Sequence, residues 1–214
     1  MIQGLSYRHG IFFFRIGEGI AHATYRDGAV KTRFLPWSWA GVGFIASRVL
    51  FTLPWYMWAL AALIFLLRLP LYLLFLLGAG YHFLFPRSLR QYHGAEHKVF
   101  SYRGAVDLYN LREIADADIV NRGCSTNSVS QLFLVFLLLA PFVGGWWALG
   151  AAGLCMALVP RLARPFETRV LFPISAWLQR RVTTAAPSEE HLRTAILAYR
   201  SLIVGRAIPE DEYV

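Results

Sequence analysis

Two long apolar blocks, residues 41–85 and 129–159, alternate with three segments crowded with arginine and lysine. Such a chain has to bury or embed two separate hydrophobic stretches while keeping the cationic segments in water. Apolar residues make up 57% of the whole, high for a soluble domain. The first block is too long for one membrane span, which needs about 20 residues. It breaks at Arg68-Leu69-Pro70, which predicts a helical hairpin over residues 42–67 and 71–85. Pro54 is expected to kink the first arm, and Arg48 lies near enough to an end to snorkel.

The second block breaks at Pro141-Phe142-Val143-Gly144-Gly145. Its arms are about 13 to 16 residues each, short of a usual span, so a tilted hairpin, a re-entrant element and one long helix all fit. Charge arbitrates. Arg8, Arg15, Arg26, Lys31 and Arg33 precede the first block, and Arg87, Arg90, Lys98, Arg103, Arg112 and Arg122 lie between the blocks. Arg161, Arg164, Arg169, Arg180 and Arg181 follow the second, whereas the breaks carry Arg68 alone. Under the positive-inside rule all three basic regions face the cytoplasm, so each block must enter and leave on the same side.

The expectation is a mainly α, integral membrane protein with two helical hairpins, about four membrane segments, and both termini cytoplasmic. Its divisions would be residues 1–40 (a short N-terminal β-hairpin and interfacial segment), 41–86 (first hairpin), 87–128 (polar loop and helix), 129–160 (second hairpin) and 161–214 (amphipathic tail). The net charge of +8 then reflects topology and contact with the lipid bilayer rather than recognition of a nucleic-acid sequence. Two cysteines, Cys124 and Cys155, do not suggest a disulfide framework. The first long apolar run is followed by no cleavage site, so a removable leader is not expected.

Arg26-Asp27-Gly28-Ala29 supplies an Asp-Gly turn, pairing residues 19–25 with 29–34 as a β-hairpin. The aromatic run Phe12 to Phe14 is expected on the membrane surface, and Trp37 and Trp39 at its interface. Near the C-terminus Ser188 can cap a helix running to about Val204, with Leu192, Ile196, Tyr199 and Ile203 on one face.

The central polar segment carries the chemistry. His93-Gly94-Ala95-Glu96-His97 reads H-x-x-E-H, and histidines at i and i+4 project from one helix face, where both can reach one metal ion. Glu96 could then act as base on water at that ion. Ser88 and Gln91 have the spacing of a capping box that would start the helix. Gly94 costs that helix up to about 1 kcal/mol unless something approaches closely. Catalytic zinc wants three protein ligands, so a third must come from elsewhere: Cys124, Glu113, Asp116, Asp118 and Glu167 are the candidates. A metal-free cluster, with His and Glu hydrogen-bonded to arginine and backbone, accounts for the same residues. Arg122-Gly123-Cys124-Ser125-Thr126-Asn127 offers Cys124 as ligand or thiolate and Arg122 as an anion contact, or simply a cap and turn. His82 reads as interfacial.

Tyr92-His93-Gly94-Ala95-Glu96-His97-Lys98 resembles the signature of the domain-of-unknown-function 1385 family. Arg122-Gly123-Cys124-Ser125-Thr126 resembles its Arg-Cys-Gly-Thr segment, and the stretch from Leu178 through Thr183-Thr184-Ala185-Ala186-Pro187 its Leu-Gln…Thr-Thr-Arg-Glu-Pro segment. Phe166-Glu167 is similar to a Tyr-Glu pair there. The resemblance implies a bacterial multi-pass protein of the cytoplasmic membrane, described for the family as a predicted metal-dependent enzyme. The chain departs from it where Val120-Asn121 replaces His-Pro, where Cys and Gly are transposed, and where Ala185-Ala186 replaces Arg-Glu.

Two functions follow as expectations. One is a membrane-bound, metal-dependent hydrolase of zinc type, with metal ligands His93, His97, Cys124 and Glu167 and with Glu96 as catalytic base. The other is a non-catalytic scaffold or assembly factor, docking a ribosome, translocon or other membrane-protein complex through a basic face.

Overall fold

A computed structural model describes residues 1–213. Its strands are β1 (Gln3–Tyr7), β2 (Gly10–Arg15), β3 (Gly19–Arg26) and β4 (Ala29–Pro36). The helices that follow are α1 (Trp39–Phe51), α2 (Trp55–Leu66), α3 (Tyr72–Gly80), α4 (Arg87–Ser101) and α5 (Leu111–Asp116). Next come α6 (Ser125–Val143), α7 (Gly145–Leu162), α8 (Arg164–Phe166), α9 (Phe172–Leu178) and α10 (Glu189–Val204). The chain divides into two units. One takes Met1–Leu53, Pro86–Asn121 and Thr184–Val214, and the other Pro54–Phe85 and Arg122–Thr183.

The first unit is built on an antiparallel meander in the order β1-β2-β3-β4. Asp27 (φ 56) and Gly28 (φ 82) make the β3–β4 turn, both in the left-handed region that a two-residue hairpin demands. The expected hairpin is therefore there, extended by two further strands. β2 escapes a search for alternation because it is covered on both faces, which favours an unbroken apolar run. Ile11 and Phe13 join Ala21 and Ala23 against α4, α5 and α10, while Phe12 and Ile20 face Phe44, Ile45 and Val49 of α1. Phe12 and Phe13 are fully buried, so that run forms core, not the membrane-facing surface expected of it. The outer edge of β4 is occupied by the C-terminal segment, with Thr32 Oγ1 donating to the Ile208 carbonyl at 2.7 Å.

α10 spans the stretch behind Ser188 and ends at Gly205, whose φ of 74° gives a left-handed stop. Its Leu192, Ala195, Ile196 and Leu202 enter the unit's core, so it packs on protein. Ser88 does not cap α4. Pro86 stands at the N-cap, and Ser88 Oγ donates instead to the Arg8 carbonyl at 2.7 Å.

The second unit is helical. α6 and α7 meet at Gly144 (φ 80) and pack through Phe136, Ala148 and Ala152, with Leu76 of α3. A polar knot ties the segment 167–183 to α6: Asn127 Oδ1 accepts from Gln179 Nε2 at 3.0 Å and from the Ser175 hydroxyl. Gln179 and Thr183 lie in a π-helical turn, Gln179–Thr183, and are fully buried.

Two membrane-spanning hairpins are not what the chain forms. The first apolar block divides into helices of 13, 12 and 9 residues, and the apolar face of α1 is spent on the sheet. Its breaks fall at Thr52-Leu53-Pro54, where proline cannot continue a helix, and at Arg68, held at φ 50°. Among the described residues one helix, α6 at 19 residues, is long and apolar enough to cross a membrane, or up to three spans if each bent helix pair counts as one. A four-segment, multi-pass architecture is not supported.

Candidate metal centre

α4 presents His93, Glu96 and His97 on a face that is almost entirely inside the first unit: 6%, 6% and 0% exposed respectively. A helix polar in composition is held there by tertiary contacts on both sides. Ala185 N–H donates to the Arg90 carbonyl at 2.9 Å, laying the Thr184–Ala186 main chain across the helix. Gly94 makes room for it, since a Cβ would fall within 3.0 Å of the Ala185 carbonyl oxygen. The close approach that would excuse a mid-helix glycine is thus by the chain's own backbone.

His97 is the best-defined member. Its Nδ1 lies 2.6 Å from the Ile119 carbonyl oxygen, which can only accept, so Nδ1 carries the proton and Nε2 the lone pair. That Nε2 is buried and has no hydrogen-bond partner among the described residues. An unpaired buried polar atom is costly, and a His that donates one ring N–H to a carbonyl while offering the other nitrogen is the usual form of a metal ligand. The His93 and His97 rings are neighbours, with centroids 4.4 Å apart.

Glu96 sits between α4 and β1. Its Oε2 accepts the Ser6 hydroxyl at 2.5 Å and lies 3.4 Å from His93 Nδ1. Gly4, on the same side of β1 as Ser6, admits the carboxylate: a Cβ there would meet it at 2.5–2.8 Å. Burial pushes the Glu96 carboxyl up, but His93 by hydrogen bond and charge, with His97 and Ser6, more than offsets it and holds it below its ordinary value. Lys98, next in the motif, is structural. Its Nζ donates to the Ala115 and Ala117 carbonyls at 2.5 and 2.7 Å, closing the end of α5.

The remaining candidates are distributed as follows. Glu113 is exposed and accepts the Tyr102 hydroxyl at 2.5 Å, and Asp118 Oδ1 accepts the Val120 N–H at 3.0 Å. Asp116 is exposed. In the second unit Cys124 is the N-cap of α6, its sulfur accepting the Thr126 N–H at 3.3 Å, and Arg122 stacks over the Phe172 ring at 4.2 Å. Glu167 opens a π-helical turn and accepts the Thr168 hydroxyl at 3.1 Å. His82 Nε2 meets Ser125 Oγ at 2.7 Å. Ser6, Gly4 and the Ile119 carbonyl were not legible as partners of the motif. Two lie on a strand without visible alternation, and a main-chain oxygen has no residue signature.

No curated protein and no solved structure matches the chain. The family described as "protein of unknown function (DUF1385)" matches residues 40–204, most of its length and all of the α4 motif. The chain belongs to that family.

Proposed function

We propose that the protein binds a zinc-type divalent ion through His93 and His97, with Cys124 as the third ligand. The observation that carries this is the buried, partnerless Nε2 of His97, on a ring whose Nδ1 is already taken by Ile119. Leaving such an atom unpaired costs about 1–3 kcal/mol, which a bound cation removes. His93, His97 and Cys124 each offer one buried ligand atom. Cys124 follows Ile119 by five residues, so the chain tethers its thiol within about 18 Å of the carbonyl that holds His97. Its place at a helix N-terminus favours negative charge on the sulfur. Glu167, far along the chain, has no such tether. Two imidazoles and a thiolate are a donor set that suits zinc.

Such an ion, when bound, supplies a Lewis acid and lowers the pKa of water. Glu96, held ionised one helical turn from His93, is the proton acceptor of this chain, and the reaction class is hydrolysis of an ester, amide or phosphoester. The site would work at a lipid bilayer, with the exposed Leu134, Leu137, Leu138 and Phe142 of α6 in contact with it.

A second reading draws on the burial of Glu96 and on its engagement by Ser6. A centre this enclosed also suits a metal that orders the fold of a non-catalytic scaffold, whose basic face docks a ribosome, translocon or other membrane complex. Cobalt substitution tests the common premise. A sulfur-to-cobalt charge-transfer band that Cys124→Ser removes, with weakened binding in His97→Ala, is expected. A spectrum with no sulfur band would remove Cys124 from the set. Glu96→Gln should keep the cobalt spectrum under both readings, and hydrolytic turnover lost in that variant selects the enzyme.

A further inference from the structure

The segment from Arg161 to Thr183 in the second unit has two chemically opposite sides. Leu171, Ser175, Ala176, Gln179 and Thr183 are buried, and Ser175 and Gln179 bind Asn127 of α6, so the orientation of the segment within its unit is set. The other side carries Phe166, Val170, Ile174 and Trp177, spaced by one helical turn and 50%, 43%, 46% and 59% exposed. Arg164, Arg169, Arg180 and Arg181 are exposed along the same segment, with Arg161 exposed at the end of α7 just before it, against Glu167 as the one acidic residue of residues 161–183.

From this pairing we infer that residues 161–183 form an interfacial device that docks on an anionic phospholipid surface. Phe166, Val170, Ile174 and Trp177 enter the acyl boundary, and the arginines sit at headgroup phosphates. An exposed apolar stripe flanked by cations is the pattern of a helix lying in the interface plane, and tryptophan is enriched at that depth. Charge complementarity selects the occupant. A neutral protein groove would gain nothing from five guanidinium groups, whereas an anionic leaflet attracts each of them. The buried side is committed to α6 through Ser175 and Gln179, which leaves the apolar stripe as the side that can meet lipid. The inference rests on the bilayer location proposed above and not on the metal centre.

Detergent-solubilised full-length protein, diluted into preformed vesicles and floated, tests it. Phosphatidylcholine–phosphatidylglycerol vesicles should retain the protein at least tenfold better than phosphatidylcholine alone, and added salt should shrink the difference. The triple variant R161Q/R164Q/R169Q should lose roughly a hundredfold of the binding to anionic vesicles. It should keep wild-type circular dichroism and wild-type retention on phosphatidylcholine. Phe166→Ser with Trp177→Ser should weaken retention on both vesicles. Equal retention of wild type on both vesicles, or an arginine variant with undiminished anionic preference, would overturn the inference and leave the bilayer location standing. A stripe that cross-links to a second copy would overturn the inference alone, and retention on neither vesicle would overturn both.

Discussion

The side chain that Gly94 lacks is replaced in space by the main chain of Ala185: any Cβ on α4 at that position would collide with the Ala185 carbonyl oxygen. Two sequence blocks about ninety residues apart are joined there, with Ala185 N–H on the Arg90 carbonyl fixing the register. Gly94→Ala therefore works against its own helix propensity. The substitution gains up to about 1 kcal/mol in the helix and loses about 1–3 kcal/mol to overpacking, so a net destabilisation is expected. Thermal unfolding of the variant should show a lowered Tm; an unchanged or raised Tm would mean that the Ala185 segment moves aside without cost.

His22 gives the first unit a dependence on acid that is separate from the α4 centre. Its ring stacks on Phe12 at 4.4 Å, meets Phe44 edge-on and is hydrogen-bonded through Nε2 to the Tyr7 hydroxyl at 2.7 Å. Burial, then the positive charges of Arg48, Arg33 and Arg26, push its pKa down to about 4, and burial raises that of Tyr7 to about 12. Because the folded value lies below the unfolded one, the contribution is complete above about pH 6.5 and is lost as pH falls toward 4. The loss amounts to about 3 kcal/mol over that window. His22→Gln, whose amide can still hydrogen-bond the Tyr7 hydroxyl, should flatten the fall in Tm between pH 7 and pH 4. A variant with the wild-type acid slope would place the proton uptake elsewhere.

Asn127 anchors the polar knot of the second unit, accepting from Ser175 and Gln179 and donating to the Arg122 carbonyl at 2.5 Å. Asn127→Ala leaves buried donors without their acceptor, a loss of about 1–3 kcal/mol. Limited proteolysis should then cut within residues 161–183 faster than in wild type, while the first unit keeps its protection. Equal cleavage rates would show that the knot contributes nothing to the order of that segment.

Sequence periodicity reached some of these elements and missed others for physical reasons. The Asp27-Gly28 turn was legible because only a few residues tolerate positive φ, and α10 because Ser188 and a one-faced apolar pattern mark it. β2 was not, since a strand covered on both faces, such as Gly10–Arg15, shows no clean alternation. Hydropathy overread residues 41–85, because the apolar face of α1 looks the same whether it meets lipid or the Phe12–Ile20 face of a sheet. At the centre, the shared face of His93 and His97 followed from spacing alone. The use of Ile119 and Ser6 as their surroundings depended on long-range packing that spacing does not encode.

The account turns on whether the open nitrogen of His97 holds a metal ion. Elemental mass spectrometry on purified wild-type protein, beside His93→Ala, His97→Ala and Cys124→Ser, measures it directly. The prediction is about one equivalent of zinc-type metal in wild type, lost in both histidine variants and reduced in Cys124→Ser. Wild-type protein that carries no metal and takes up none on reconstitution would contradict the account and make His93, Glu96 and His97 a structural polar cluster.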